Sequence, residues 1–265
     1  MDLAPSIFIS HGSPMEAVEW GQYQENLRKF AKEIGKPEAI VSVSAHWQYY
    51  QPVLITSNAI QNTIHDFYGF PEQLYLLKYE APGNPSLAHR ISEILTNSGI
   101  ETRLTDEWGL DHGTWVPLRI MFPEADIPVL QISIPIPRSS KDLNIIGRVL
   151  YQLRKEKIML MGSGGITHNL RLAMQNVMMN KPNVKPDNWA EEFDSWIKER
   201  LEEGKFEDIL HAQKHPLFNV AAPTTEHFDP VHFILGSLDS KEGIRQIHEE
   251  IKFGNLSMRS FASES

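Results

Sequence analysis

The sequence predicts an α/β fold: a single domain, 1–265, with a central, mostly parallel or mixed sheet flanked by helices. Three observations carry this. Short apolar runs of strand length alternate with amphipathic stretches of helix length, the pattern of a layered α/β domain. No repeat, low-complexity tract or linker divides the 265 residues. Hydrophobic residues are 41% and charged residues 22%, an ordinary globular balance with enough apolar material for a large core.

The elements follow in order. Ser6–Ser10 (SIFIS) reads as a strand ending at His11-Gly12-Ser13-Pro14, and a helical stretch covers roughly 16–34. The small and β-branched run 39–45 (AIVSVSA) is a buried strand ending at His46-Trp47, and 53–56 is another. The stretch 57–85 is rich in aromatic residues, Pro and Gly, and is too long for a simple connection; such loops tend to carry function. Residues 85–98 form a helix by the spacing of Leu87, Ile91, Ile94 and Leu95, with Pro85 at its start. Then come a strand at 127–134, an amphipathic helix at 142–155, and a strand at 157–161 (KIMLM) that stops at a Gly-rich turn. A charge-paired helix is expected over 189–203, a helix over 231–238 and a last strand over 254–261.

Composition excludes several function classes. Lys plus Arg is 25 against 34 Asp plus Glu, a net charge of -9, which disfavours nucleic acid and anionic membrane surfaces as partners. The absence of cysteine removes disulfides, thiolate metal sites and Cys nucleophiles together. Any transition metal must be held by His, Asp or Glu. The N-terminal stretch lacks a basic segment followed by an apolar one, and no apolar run approaches the ~20 residues that span a bilayer. The expected location is the cytoplasm.

The eleven histidines carry the chemical signal. His11, His46 and His168 each follow a strand candidate. Ligands of open α/β sheets bind outside the carboxyl ends of the strands, so these three can meet as a metal site or an acid/base site. The bland alternative is a polar residue where the chain leaves the core. His112, between glycines in GLDHGTW, is either aimed into a cleft or part of a structural turn. Glu226-His227 before Asp229-Pro230 offers two potential ligands or a helix-cap cluster. His65 in the long loop faces substrate or solvent. His89, His211, His215 and His248 sit in polar settings, and His232 is expected to pack against its own helix. Competing chemistries lack their motifs. There is no GxSxG elbow and no HExxH, and Gly162-Ser163-Gly164-Gly165 lacks the lysine of a phosphate-binding loop.

Seven segments occur in a recognisable order: HGSPM (11–15), VSAHW (43–47), TIHDFYGFP (63–71), YEAPGNPSLA (79–88), GLDHGTW (109–115), GSGGITHNL (162–170) and PTTEHFDP (223–230). Together they span nearly the whole chain and resemble the class III extradiol ring-cleavage dioxygenases, in the branch of the 4,5-DOPA dioxygenases. The resemblance implies one non-haem divalent metal at the sheet edge, Fe(II) for activity, with Zn(II) able to occupy the same site. It implies His11, His46 and His227 as protein ligands, with Glu226 adjacent to the third, where many relatives use Glu. It implies His168 as the catalytic acid/base and His112 as a second active-site histidine. His65 and Ser13 are expected against the substrate. The plant branch commonly has Pro after the catalytic His, and this chain has Asn169, so the resemblance implies a reaction type rather than a particular catechol.

The chemistry of these residues agrees. Imidazole ligands that leave positions open suit an Fe(II) centre where catecholate and O₂ meet, and a nearby imidazole can take a phenolic proton. The implied partners are a small catechol and O₂. The same pocket would also suit a zinc-dependent hydrolase or a non-catalytic binding protein on this scaffold. An acid/base histidine beside metal ligands argues against the last.

Overall fold

The computed structural model describes residues 3–179, 184–239 and 241–264; Met1 and Asp2 of the N-terminal stretch lie outside them. The first half runs β1 (Ser6–Ser10), α1 (Gln22–Ile34), β2 (Ala39–Tyr50), β3 (Val53–Thr56), α2 (Glu72–Tyr75), α3 (Pro85–Asn97), β4 (Thr102–Thr105), α4 (His112–Met121) and β5 (Val129–Ile136). The second continues α5 (Ser140–Leu150), β6 (Ile158–Gly164), α6 (Leu170–Met178), α7 (Asn188–Glu202), α8 (Phe206–Leu210), α9 (Phe218–Ala221) and α10 (Asp229–Gly236). It ends with β7 (Gly243–His248), β8 (Ile251–Lys252), β9 (Leu256–Ser257) and β10 (Ser260–Glu264).

Eight strands form one mixed sheet in the order β4-β3-β5-β2-β6-β1-β10-β7, and β8 with β9 makes a separate two-stranded ribbon. The central four, β5, β2, β6 and β1, are parallel. The flanks reverse: β3 runs antiparallel to β5, and β10 antiparallel to β1 and β7. Side chains alternate between two cores, as the period of two requires. Ile7, Ile9, Met159 and Met161 face Tyr23 and Leu27 of α1 and Trp115 of α4. Phe8, Val41, Val43 and Leu160 face α3, α5, α7 and α10. A parallel sheet covered on both faces needs apolar residues at nearly every position, which is why these strands read as continuous apolar runs.

Several boundaries differ from the sequence expectation. The helix expected over 16–34 is two pieces, because Ser13 caps a short 3-10 turn at Pro14–Ala17 before α1 begins after Gly21. The strand expected to end at Ala45 continues to Tyr50, with its pairing to β5 shifting between Val43 and Gln48. The helix expected through Lys155 tightens into a 3-10 segment, Tyr151–Glu156, closed by left-handed Lys157. The last expected strand, 254–261, is divided between the β8–β9 ribbon and β10. The edge strands β4 and β7 were not expected. Both are polar (TRLT, GIRQIH), a usual device against edge-to-edge pairing. Among the described residues no helix is long and apolar enough to cross a membrane.

His232, expected to pack against its own helix, lies fully buried in α10 with its ring against Phe228 at the start of that helix, 5.3 Å between centroids. Burial first, and Arg138 second, push its pKa down to about 3. Its unfolded value is ~6.5, so as pH falls below that the unfolded chain takes up a proton that the folded chain refuses. The stabilisation is present above ~6.5 and is lost as pH drops toward about 3. His232→Phe is expected to remove up to one proton of this dependence, about 1.4 kcal/mol per pH unit between pH 6 and 4. Urea unfolding of both proteins across that range checks it; parallel stability–pH curves would exclude His232 as a contributor.

Candidate metal centre and active site

The sheet's carboxyl edge brings the histidines together. His11 follows β1, and its N–H donates to the Gly164 carbonyl at 3.2 Å, at the end of neighbouring β6. His46 sits where β2 slips register against β5, a local irregularity that takes it out of the regular ladder. His227 comes from the connection before α10. The Gly165 N–H donates to the His227 carbonyl at 2.8 Å, and a Cβ on Gly164 would lie 2.0 Å from that oxygen. Only glycine lets the 227 segment lie this close to β6.

One ring nitrogen each from His11, His46 and His227 lies within 4.8 Å of the other two. The Nε2 atoms of His11 and His46 are 3.0 Å apart. Two imidazole nitrogens bonded to one ion at ~2.1 Å would stand ~3.0–3.4 Å from each other, so the spacing fits shared ligation. An oxygen lies behind each ring, hydrogen-bonded for His11 and His227 and at ion-pair distance for His46. His11 Nδ1 is 2.8 Å from Ser163 Oγ, His227 Nδ1 is 3.1 Å from Glu226 Oε1, and His46 Nδ1 is 3.2 Å from Asp66 Oδ2. Metal-binding histidines carry such outer partners, which fix the tautomer and leave Nε2 free for the ion. The donor set therefore fits a divalent metal. Glu226 stands behind His227 and also accepts from Thr224 Oγ1 at 2.7 Å. Burial opposes its ionisation, but the His227 and Thr224 hydrogen bonds hold its pKa at about 2.

His112 begins α4, capped by Asp111, which accepts from Thr114 N–H at 3.2 Å and from Ser44 Oγ at 2.7 Å. The glycine-flanked turn of the sequence reading is thus a helix start. Its ring centroid is 4.1 Å from that of His46. His168 stacks on His227 with centroids 3.5 Å apart and planes within 7°. Among the described residues no hydrogen bond holds the His168 ring, which leaves both nitrogens to whatever enters. Burial, then the neighbouring His227, lowers its pKa to about 3; the same two influences, burial and adjacent imidazoles, push His11 and His46 down.

All five rings line a cavity of about 480 Å³, as does Ser13. His65 does not. Its Nε2 is 3.0 Å from the Leu77 carbonyl, and its ring packs among Phe67, Tyr75 and Trp115. The long loop instead brings its neighbour Asp66 to the site. Asp66 Oδ1 accepts from the His112 backbone N–H at 2.9 Å and lies 3.0 Å from His112 Nδ1. Burial works to raise the Asp66 carboxyl, yet His112 and His46 bring it below its ordinary value. Asp111, fully buried behind it, is pushed up to about 6, by burial first and then by Asp66.

The geometry has close relatives. The family of the catalytic LigB subunit of aromatic ring-opening dioxygenase matches residues 5–259. The chain belongs to this family. It is 38% identical to the 4,5-DOPA dioxygenase extradiol of Beta vulgaris, over 98% of this chain and 96% of that protein. It is 38% identical to the protein of the same name from Escherichia coli K12, over 97% and 93%. A solved structure of an uncharacterized Escherichia coli K12 protein superimposes with a TM-score of 0.82 at 34% identity, covering 98% of this chain and 99% of that one. The chain is thus a metal-dependent extradiol catechol dioxygenase, and its fold is that of its relatives.

Asp66 is the residue that sequence reasoning missed. Its signal was the His65-Asp66 pair in an over-long loop, where the histidine drew attention. The carboxylate lies between His46 and His112, so Asp66→Ala removes the acidic neighbour of both rings at once. Metal affinity is expected to fall about 10–100-fold, the usual cost of losing an outer partner. A chelator competition titration measures it; unchanged affinity would show that Asp66 does not orient His46.

Proposed function

We propose that His11, His46 and His227 hold one Fe(II), and that His168 and His112 handle protons while a catechol ring is opened by O₂ beside its diol. The observation that supports this most is the arrangement of Nδ1 partners. Three imidazoles are each backed by an oxygen atom, so that their free nitrogens converge on the floor of a cavity. Bound there, the metal supplies redox chemistry and a template for catecholate and O₂.

The chain's own residues do the rest. His168 is neutral at working pH, because burial and the parallel His227 ring oppose its protonation. Its unprotonated ring nitrogen accepts a hydrogen bond from one phenolic hydroxyl and takes that proton as the catecholate forms. The proton is later returned to oxygen as the O–O bond breaks. The stacking on His227 keeps His168 beside the ligand ring. His112, with Nδ1 against Asp66, keeps Nε2 for the cavity that its ring lines. Both oxygen atoms end in the product, a ring-opened semialdehyde acid. The names of the relatives carry the dihydroxyphenyl ring chemistry to this chain.

The test is anaerobic Fe(II) loading followed by O₂ consumption with a panel of catechols. Stoichiometric O₂ uptake with a yellow semialdehyde product is expected. No uptake with iron, together with ester or amide hydrolysis on zinc loading, would overturn the reading. The division of roles has its own test. His168→Ala is expected to lower turnover about 10²–10⁴-fold with metal content near wild type. His46→Ala is expected to lose metal and turnover together. Elemental analysis beside steady-state O₂ consumption separates the two; loss of metal in His168→Ala would make His168 a ligand.

A further inference from the structure

The floor of the cavity is imidazole, but its walls and mouth are mostly apolar and uncharged. Among the described residues that line it, none is Lys, Arg, Asp or Glu. One wall is α6, whose Leu170, Met174 and Val177 recur at helical spacing along the cavity. These side chains are open to water, at 52%, 41% and 41% exposure. Phe67 and Phe70 of the long loop, Phe253 and Leu256 of the β8–β9 ribbon, and Pro14 and Met15 add further apolar surface, with Ser13 and Tyr68 supplying the hydroxyls of the lining. An apolar surface left open at the mouth of a catalytic cavity is surface that a ligand can cover.

We propose that this enzyme favours catechols whose ring substituent is apolar, lying outward over the Leu170–Met174–Val177 wall, over catechols that carry a zwitterionic amino-acid side chain. The proposal rests on the catechol dioxygenase reading above. With the two hydroxyls turned to the imidazole floor, the substituent points to the mouth. An alkyl chain there removes its own surface and that of α6 from water. An ammonium and a carboxylate placed there lose hydration with no opposite charge among the described lining residues to replace it. Arg171 and Glu226, with Asn169 and Asn219, line an adjoining cavity of about 560 Å³ that shares His168, Leu170 and His227 with this one; Met174 and Val177 line only the first, so a substituent lying over them leaves those charges to one side.

The probes are catechol, 4-methyl-, 4-ethyl- and 4-propylcatechol, and DOPA, whose side chain has the same three-carbon length as propyl. Two quantities are read on the Fe(II)-loaded enzyme: the dissociation constant without O₂, and kcat/KM from O₂ consumption. Affinity is expected to rise about three- to fourfold with each methylene, and 4-propylcatechol to exceed DOPA at least about tenfold in both readouts. DOPA equal to or better than 4-propylcatechol, or a flat alkyl series, overturns the proposal while leaving the dioxygenase reading intact. Failure of every catechol to bind and to drive O₂ uptake overturns the underlying reading instead. Met174→Lys, at a half-open helix position, puts a cation on the wall and is expected to shrink the propyl-to-DOPA ratio. An unmoved ratio would show that the substituent does not meet α6, and would also sink the proposal.

Discussion

The site depends on keeping several imidazoles uncharged in contact with one another. The ring centroids of His11, His46 and His227 lie 4.9–5.4 Å apart, and His112 and His168 are closer still to their neighbours. A proton on His11, His46 or His168 would be buried and would face other rings, and both effects push these pKa values down. Neutral rings crowded this way have nitrogen lone pairs with no donor to meet. In the proposed reading a divalent cation would satisfy three of them at once, and the same neutrality would let a fourth ring accept a substrate proton.

What holds the rings is ordinary sheet geometry with a few special residues. Parallel β1, β2 and β6 end at neighbouring points, so side chains just past them must converge. Gly164 lets the connection carrying His227 lie against β6. Ser163, Glu226 and Asp66 then fix each ring from behind. Among the described residues Asp66 is the carboxylate that reaches two of the histidines, and it comes from an irregular loop tied down by bridges from Ile60 to Pro82 and from Thr63 to Leu110. The loop's length is thus explained by its reach from the sheet edge to the imidazole floor, while its Phe67 and Phe70 build part of the cavity wall.

The alternation of the central strands was legible because both sheet faces are buried, so apolar runs stand out from polar loops. The strand-end positions of His11 and His168 were legible for the same reason. His46 was placed at a strand end that does not exist: β2 continues, and a register slip does what a terminus would have done. Such a slip leaves no mark in composition. Asp66 and the apolar wall of α6 were hidden differently. A single carboxylate in a loop looks solvated until the loop is folded, and LRLAMQNVM has polar residues enough to pass for a surface helix. His65 was the more conspicuous neighbour, yet it serves the packing of the loop on Trp115 and Tyr75.

The claim that three imidazoles and no carboxylate make up the protein's share of the metal shell is open to one direct observation. A crystal of the Fe(II)-loaded protein, with anomalous data collected at the iron edge, locates the ion without reference to activity. The account places the peak at bonding distance, about 2.1 Å, from the Nε2 atoms of His11, His46 and His227, with Asp66 and Glu226 making no bond to the ion. A peak seated instead among His46, His112 and an Asp66 oxygen, the other cluster whose ligand atoms lie within 4.8 Å of one another, would contradict it.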